Sequence, residues 1–112
     1  MQAYLIDPFA RTVEPVDYSG DYRDIYKLIG NHCSAFTAVF LWHPGDAVFV
    51  DDEGLFKKGL LSFMLKGHLE PLFGRGVVLG ADENGDEAPA KITLDDLRRR
   101  VWWGIYVTTG TC

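Results

Sequence analysis

The sequence predicts an α+β fold, an antiparallel or mixed sheet of about five to seven strands with two helices packed against it. Short apolar runs bounded by Gly, Pro and Asp cluster as hairpins along the chain, whereas only two segments show helical periodicity. Because helices do not alternate regularly with strands, a doubly wound parallel sheet is disfavoured. The 112 residues are 47% hydrophobic, which is enough for one packed core, so we predict a single domain over residues 1–112.

The N-terminal part of the chain predicts a hairpin followed by a buried strand. Residues 4–6 and 12–18 are the two arms of the hairpin. Pro15 cannot donate to a β-ladder, so it predicts that the second arm contains a bulge or lies at a sheet edge. Residues 33–42 are mainly apolar on both faces, which predicts a central strand that is covered on both sides.

Four more strands are predicted, at residues 47–50, 60–65, 77–79 and 105–107. The first of them follows a predicted turn at His43-Pro44-Gly45. The segment 56–70, which contains the second, is compatible with strand or helix. Because Gly59 and Gly67 bracket a short apolar run there, we favour the strand.

Two segments have the apolar spacing of amphipathic helices. The first spans residues 21–29, with Asp21 as its N-cap and Gly30 or Asn31 at its C-terminal end. The second is opened by Thr93, which has Asp96 at the spacing of a capping box. The predicted buried stripes are Tyr22, Ile25, Tyr26 and Ile29 in the first helix, and Leu94, Leu97 and Val101 in the second.

The net charge of 11 − 16 = −5 limits the partners that the protein can have. Nucleic-acid binding gains affinity when Lys and Arg displace counterions from phosphates, so direct nucleic-acid binding is disfavoured for this acidic chain. The charge leaves open a basic partner, or a surface that imitates nucleic acid.

Cysteine placement and segment lengths predict a soluble, cytoplasmic protein. Cys33 lies in an apolar run, where a free thiol behaves as a small hydrophobe, and Cys112 is the last residue, so the two do not form a disulfide framework. A reducing compartment fits this usage. The N-terminus lacks the basic and apolar regions of a signal peptide, and the longest apolar run is well short of the roughly 20 residues of a membrane helix.

The acidic run Asp51-Asp52-Glu53-Gly54 raises the question of a metal site. Hard cations need several oxygen ligands that converge on one point, whereas adjacent side chains leave a strand or turn in different directions. The same residues suit a turn, because Asp favours its early positions and glycine adopts positive φ. We therefore interpret this run as a turn, and an acidic site at Asp51, Asp52 and Glu53 is the alternative.

Other candidate sites fall short of a recognisable chemistry. Residues 82–87 begin with the D-x-N-x-D spacing of an EF-hand loop, but the sixth and twelfth positions lack the required glycine and glutamate. The glycines of 74–80 enter a strand instead of opening a helix, unlike a dinucleotide-binding loop. His68 and Glu70 would share a face of an extended segment as acid and base, but nothing nearby completes a site. The sequence therefore assigns no catalytic residue, cofactor or metal.

A basic and aromatic stretch, RRRVWW at 98–103, stands out in this acidic chain. Its arginines fit the solvated face of a helix near the end where cations favour the helix dipole. Adjacent tryptophans cannot both lie on the buried stripe of a helix, so one indole is expected to be partly exposed, although core packing of both is the alternative. Arginine and tryptophan are enriched in interface hot spots. The candidate interaction residues are Arg98, Arg99, Trp102 and Trp103.

Five stretches occur in a characteristic order: AYLIDPFARTVEPV at 3–16, GDYRDIYKLIG at 20–30, FVDDEGL at 49–55, PLFGRGVVLGAD at 71–82 and TLDDLRRRV at 93–101. In this order they resemble domain-of-unknown-function family 3846, which comprises small proteins of bacteria, plasmids and phages. The resemblance implies a mobile-element setting, and it implies no catalytic residue. The segment 56–70 departs from the pattern, so no role is carried over to His68 or Glu70.

These observations favour a non-enzymatic protein that acts by protein interaction, as an accessory factor of mobile-element origin. The expected partner is another protein, a homodimer is left open, and neither a membrane partner nor a cofactor is expected. The alternative is a small ligand- or metal-binding domain whose acidic site is formed by residues 51–53.

Overall fold

The computed structural model describes residues 1–30, 33–42, 45–84 and 86–109. In these ranges the chain forms nine strands, two α-helices and a short 3-10 helix. The strands are β1 (Gln2–Asp7), β2 (Thr12–Asp17), β3 (Phe36–Trp42), β4 (Asp46–Asp51), β5 (Lys58–Leu65), β6 (Leu72–Phe73), β7 (Gly76–Ala81), β8 (Glu87–Ala88) and β9 (Val101–Thr109). The helices are α1 (Arg23–Ile29) and α2 (Leu94–Arg99), and the 3-10 helix is Gly54–Phe56. The predicted α+β class with two helices is confirmed.

The described strands form two antiparallel sheets. The main sheet has six strands in the order β2-β1-β7-β4-β3, with β8 paired to β7, and its size agrees with the prediction. The second sheet has the order β6-β5-β9. The division into two sheets was not predicted, because no local pattern assigns a strand to one sheet or the other.

The main sheet is covered on both faces because its central strand is apolar on both faces. In β7, Val77 and Leu79 face one way and Val78 faces the other, and all three are fully buried. Val77 and Leu79 pack with Ile25 and Ile29 of α1. The spacing of the two isoleucines puts both on one face of the helix, as the sequence predicts.

The opposite face of the main sheet packs against the second sheet and α2. Val78, together with Val48 of β4, lies in one cluster with Phe63 of β5 and Leu97 of α2. The molecule therefore has three layers, with α1 on one side of the main sheet and the second sheet with α2 on the other. Burial of apolar surface, at about 25 cal/mol per Å², holds the layers together.

The structure confirms one predicted edge strand and corrects a predicted central one. β2 lies at an edge, as Pro15 predicts, although its register with β1 is regular and contains no bulge. β3, predicted to be central, lies at the opposite edge, and its pairing with β4 shifts after Ala38, which is exposed. Its two faces do contact both core clusters, through Phe36 and Val39. Contact with both clusters explains the two-faced apolar pattern that led to the wrong position.

The N-cap of helix α1 lies one residue later than predicted. Tyr22 occupies the N-cap position and is exposed, which corrects both the predicted cap and one member of the predicted buried stripe. The predicted cap, Asp21, still accepts the N–H of Arg23 at 3.0 Å from one residue further out. Gly30 ends the helix with φ 68°, as predicted, and the alternative end, Asn31, lies outside the described residues.

Helix α2 confirms its predicted start and corrects its predicted end. Thr93 Oγ1 accepts the N–H of Asp96 at 3.2 Å, which is the expected N-cap hydrogen bond. The helix ends at Arg99, so Val101, predicted to lie on its stripe, is the first residue of β9 instead. The strand predicted at 105–107 is therefore the second half of a longer strand.

The strands predicted at 47–50, 60–65 and 77–79 are confirmed as parts of β4, β5 and β7. The segment 56–70 thus contains strand, as favoured over helix. Neither described helix is long and apolar enough to cross a membrane. His43 and Pro44, in a predicted turn, and Cys112 lie outside the described residues.

A buried carboxylate joins the main sheet to the segment that leads into α2. Asp46, at the start of β4, is fully buried. Its Oδ1 accepts the N–H of Lys91 at 2.9 Å, and its Oδ2 accepts the N–H of Ile92 at 2.6 Å. A Cβ on Gly80 would come within 2.3 Å of the Pro89 carbonyl oxygen, so this close approach requires glycine. These contacts fix the segment against β4 and β7 and set the entry point of α2.

Asp46→Ala removes the acceptor of these backbone N–H groups. We expect the free energy of unfolding to fall by about 3 kcal/mol, because hydrogen bonds to a charged group are strong and the donors are partly buried. Asp95→Ala is the matched control, since it truncates an exposed carboxylate in the first turn of α2, and it should cost less than about 1 kcal/mol. Urea unfolding measures both losses, and equal losses would show that Asp46 does not hold the segment.

A second buried polar contact ties the end of β2 to β8. Tyr18 is fully buried and donates its hydroxyl hydrogen to Glu87 Oε2 at 2.5 Å. Burial raises the pKa of the Tyr18 phenol, and the hydrogen bond to Glu87 and its charge raise it further. The folded protein therefore keeps this phenol protonated well above pH 10, where an unfolded tyrosine titrates.

The raised pKa makes the contribution of Tyr18 to stability depend on pH. That contribution is fully present below about pH 10, the unfolded-state value, and is lost progressively as the pH rises from there to the folded-state value. The difference in free energy of unfolding between the wild-type protein and Tyr18→Phe should shrink from about pH 9 to about pH 11, by at most about 1.4 kcal/mol per pH unit. Tyr22→Phe, at an exposed tyrosine, should keep a constant difference. Denaturant titrations across this range would contradict the assignment if both differences stayed constant.

Candidate functional site

A cleft of about 780 Å³ opens between the two sheets. Its apolar wall combines residues of both sheets, namely Val39, Val50, Leu72, Phe73 and Val107. Its polar and aromatic wall includes Thr37, Asp51, Asp52, Glu70, Tyr106 and Thr108. A concave, mainly apolar surface with a few polar groups is typical of a binding site, so this cleft is the candidate site.

The acidic run begins at the last residue of β4, its first two acids line the cleft, and its interpretation as a turn is confirmed. Asp51 is buried, its Oδ1 accepts the N–H of Glu53 at 2.9 Å, and its Oδ2 pairs with the Lys57 ammonium group. Gly54 does not adopt the positive φ that was expected. A Cβ at Gly54 would lie 3.1 Å from the Phe73 carbonyl oxygen, a tight contact that glycine avoids.

The three acids diverge, as the sequence analysis expects of adjacent side chains. Asp52 is exposed and lines the cleft, whereas Glu53 points elsewhere and accepts the Ser34 hydroxyl at 3.3 Å. Glu70, from the turn between β5 and β6, lines the same cleft. The fold thus adds a distant carboxylate to the cleft and leaves the third acid of the run out of it. No group of three His, Cys, Asp or Glu within the described ranges could hold a metal ion.

Two other candidates from the sequence, the pair His68 and Glu70 and the loop 82–87, do not form the sites that were considered for them. His68 lies in the turn after β5 and not in an extended strand, so the condition for sharing a face with Glu70 is not met. In the 82–87 loop, Asp82 Oδ1 accepts the N–H groups of Asn84 and Asp86, each at 2.9 Å. That carboxylate closes its own turn.

Strand β9 forms one wall of the cleft and contains a bulge. Around Ser62, two steps along β5 oppose four steps along β9. Ser62 is buried and donates its hydroxyl hydrogen to the Tyr106 carbonyl oxygen at 2.9 Å. A Cβ on Gly104 would come within 2.0 Å of Ser62 Oγ, so the bulge requires glycine here. Tyr106, which lies within the bulge, and Val107, where pairing with β5 resumes, line the cleft.

Gly104→Ala should distort the bulge, because the added methyl group meets Ser62. We expect the free energy of unfolding to fall by about 2 kcal/mol, in the range of overpacked cores. The same substitution should cost less in a Ser62→Gly background, which removes the two closest atoms. A double-mutant cycle by urea unfolding measures this coupling, and additive effects would rule out the direct contact.

Strand β9 also presents large side chains to solvent at a sheet edge. Trp102 is 52% exposed, Tyr106 is 58% exposed and Val107 is 51% exposed. β9 pairs with β5 on one side, and no strand within the described ranges pairs with the other side. Trp103 packs against the core while Trp102 faces outward, so one indole is exposed as expected. One indole is exposed because neighbouring residues of a strand point to opposite sides, so the predicted cause, helical spacing, was wrong.

The arginines that precede β9 differ in their contacts. Arg98 donates from Nε and Nη2 to the Val13 carbonyl oxygen, at 3.1 Å and 3.0 Å, and thereby ties α2 to the edge strand β2. Arg99 is exposed and pairs with Asp96 of its own helix at 2.7 Å. Both arginines are therefore exposed, but the guanidinium of Arg98 is engaged in holding α2 to β2.

Cys33, expected to act as a small hydrophobe, packs against the core cluster on the α1 side of the main sheet. Burial raises the pKa of its thiol, and the nearby Asp51 carboxylate raises it further. The thiol therefore stays protonated and is not an activated nucleophile.

Sequence reasoning missed the apolar half of the cleft. Val107 reads as an ordinary strand residue and no element is predicted over Leu72 and Phe73, so only the packing of two sheets brings these residues beside Val50. The sequence did contain one signal of an exposed apolar surface, the adjacent large residues Tyr106 and Val107. Neighbouring strand residues face opposite sides, so in a surface strand one of two large apolar neighbours is turned away from the core.

No family model, curated protein or solved structure matches this chain. The resemblance to domain-of-unknown-function family 3846 is neither supported nor contradicted by these comparisons, and it stays a prediction from the sequence. The cleft and β9 are therefore the features from which a function has to be inferred.

Proposed function

We propose that this is a non-enzymatic interaction protein that binds another protein through the exposed surface of β9. The observation that carries the proposal is a nine-residue edge strand on which Trp102 and Tyr106 are more than half exposed beside a cleft. An open strand edge is a template for pairing, and Trp and Tyr are enriched in interface hot spots. In the mobile-element setting that the resemblance implies, the partner would be a host protein.

The other candidate residues, at the end of α2 and the start of β9, contribute to this surface or support it. Arg99 is exposed, and an arginine near an exposed tryptophan is a common composition of an interface centre. Arg98 and Trp103, the other two candidates, support the fold beside this surface, since the exposed Arg98 holds α2 to β2 and Trp103 packs against the core. Replacing these two would disturb the fold, so Trp102 is the residue that tests the interface.

The titratable groups beside the cleft support binding over catalysis. Asp51 pairs with Lys57, and the raised pKa of Cys33 keeps that thiol protonated. Asp52 and Glu70 are exposed carboxylates that line the cleft, where they are complementary to a cationic group of a ligand.

Trp102→Ser should strongly reduce capture of the partner, and Tyr22→Ser is the matched control because both side chains are exposed aromatics. Each protein would be immobilised and exposed to a bacterial lysate, with captured proteins quantified by mass spectrometry. We expect at least one protein to bind the wild-type and Tyr22→Ser forms and to fall about 30-fold with Trp102→Ser, because a hot-spot tryptophan contributes about 2 kcal/mol. Identical capture by all three folded forms would remove β9 as the interface.

The cleft favours a second candidate function, the binding of a small molecule. Its volume of about 780 Å³ lies in the range of small-ligand pockets. The exposed carboxylates of Asp52 and Glu70 would select a cation with an apolar body. Such a ligand would compete with a protein segment for the same two carboxylates.

A further inference from the structure

We propose that the cleft receives an extended segment of the partner protein, one that alternates apolar and basic residues and pairs with the open edge of β9. This proposal rests on the proposed function and names the chemistry of the partner. It is carried by three independent features of the cleft: its charge, its apolar wall and its strand edge.

The charge of the cleft is negative and uncompensated at two positions. Asp51 is neutralised by Lys57, so it does not contribute. Asp52 and Glu70 come from different turns, both are exposed, and neither side chain has a hydrogen-bond or ion-pair partner within the described ranges. Two separate carboxylates on the walls of one cleft are complementary to Lys or Arg side chains of a bound segment.

The apolar wall supplies the second requirement of the bound segment. Val39, Leu72 and Phe73 come from both sheets, and Val107 remains 51% exposed within the cleft. Apolar side chains inserted between the sheets would cover this surface, as core residues do elsewhere in the molecule. A purely basic segment would leave it in water, so apolar residues must accompany the basic ones.

The strand edge sets the conformation of the bound segment. Tyr106, Val107 and Thr108 line the cleft and also form the C-terminal part of β9, whose outer side has no partner strand within the described ranges. A segment added to this edge is extended, so alternate side chains point the same way. The cleft would therefore bind a segment in which apolar and basic residues alternate.

A second copy of this chain is the competing occupant of the open edge. Each copy has a net charge of −5, and pairing two copies through β9 would bring two acidic clefts together. The observations therefore favour a basic segment of a different protein over self-pairing.

The test uses fluorescence anisotropy with the full chain and end-blocked, labelled six-residue peptides. We expect a peptide of alternating valine and lysine to bind at least tenfold more tightly than one of alternating valine and glutamate. Asp52→Asn combined with Glu70→Gln should weaken the valine–lysine peptide by tenfold or more. Glu83→Gln combined with Asp95→Asn removes the same charge at exposed sites outside the cleft, and it should change the affinity less than twofold.

Four results would overturn the proposal. Equal weakening by the two double variants would mean that net charge alone attracts the peptide. An unchanged affinity in Val107→Ser would mean that the apolar wall is not used. Binding of spermidine at the two carboxylates without binding of the peptide would identify a small-cation site, and a concentration-dependent doubling of mass without peptide binding would identify a second copy.

The two proposals can fail separately. Trp102 does not line the cleft, so the lysate capture tests the β9 surface while the peptides test the cleft. If Trp102→Ser loses capture and no peptide binds, the proposal of an interaction protein is supported, and the proposed apolar and basic segment in the cleft is contradicted.

Discussion

The fold depends on one constraint, which is that the central strand β7 is apolar on both faces and must be covered on both. Val77 and Leu79 require α1 on one side, and Val78 requires the second sheet on the other. The second sheet has three strands against the six of the main sheet, so it covers only part of that face. The cleft begins where this cover ends, beside Val39. The candidate site is thus a direct outcome of layers of unequal width.

Local sequence rules predicted the features that local contacts decide. Thr93, Gly30 and Pro15 each act through near neighbours or through their own ring, and each had its predicted effect on a helix end or a sheet edge. Sheet membership depends on contacts between residues far apart in sequence, so nothing local separated the second sheet from the first. The same limit explains the error in β3, since an apolar pattern on two faces reports contact with both layers and not a central position.

The candidate site was predictable in part, for the same physical reasons. The turn at Asp51 follows from residue types that favour turns wherever they occur. The meeting of Asp52 with Glu70 depends on the course of the turn between β5 and β6, which the second sheet decides. Asp46 reads as an ordinary turn residue after Gly45, and only its burial under the segment that leads into α2 gives it a structural role.

The pairing of β9 with β5 also bears on when the protein becomes competent during its synthesis. Val101 and Leu65 are partners in the second sheet although a long stretch of chain separates them, and closing such a loop costs entropy before any contact is made. Sheets of this kind form slowly compared with a local hairpin such as β1–β2. A ribosome must release β9 before its aromatic edge can exist beside the cleft. The surface of β9 that we propose as an interface therefore forms only after this long-range pairing is complete.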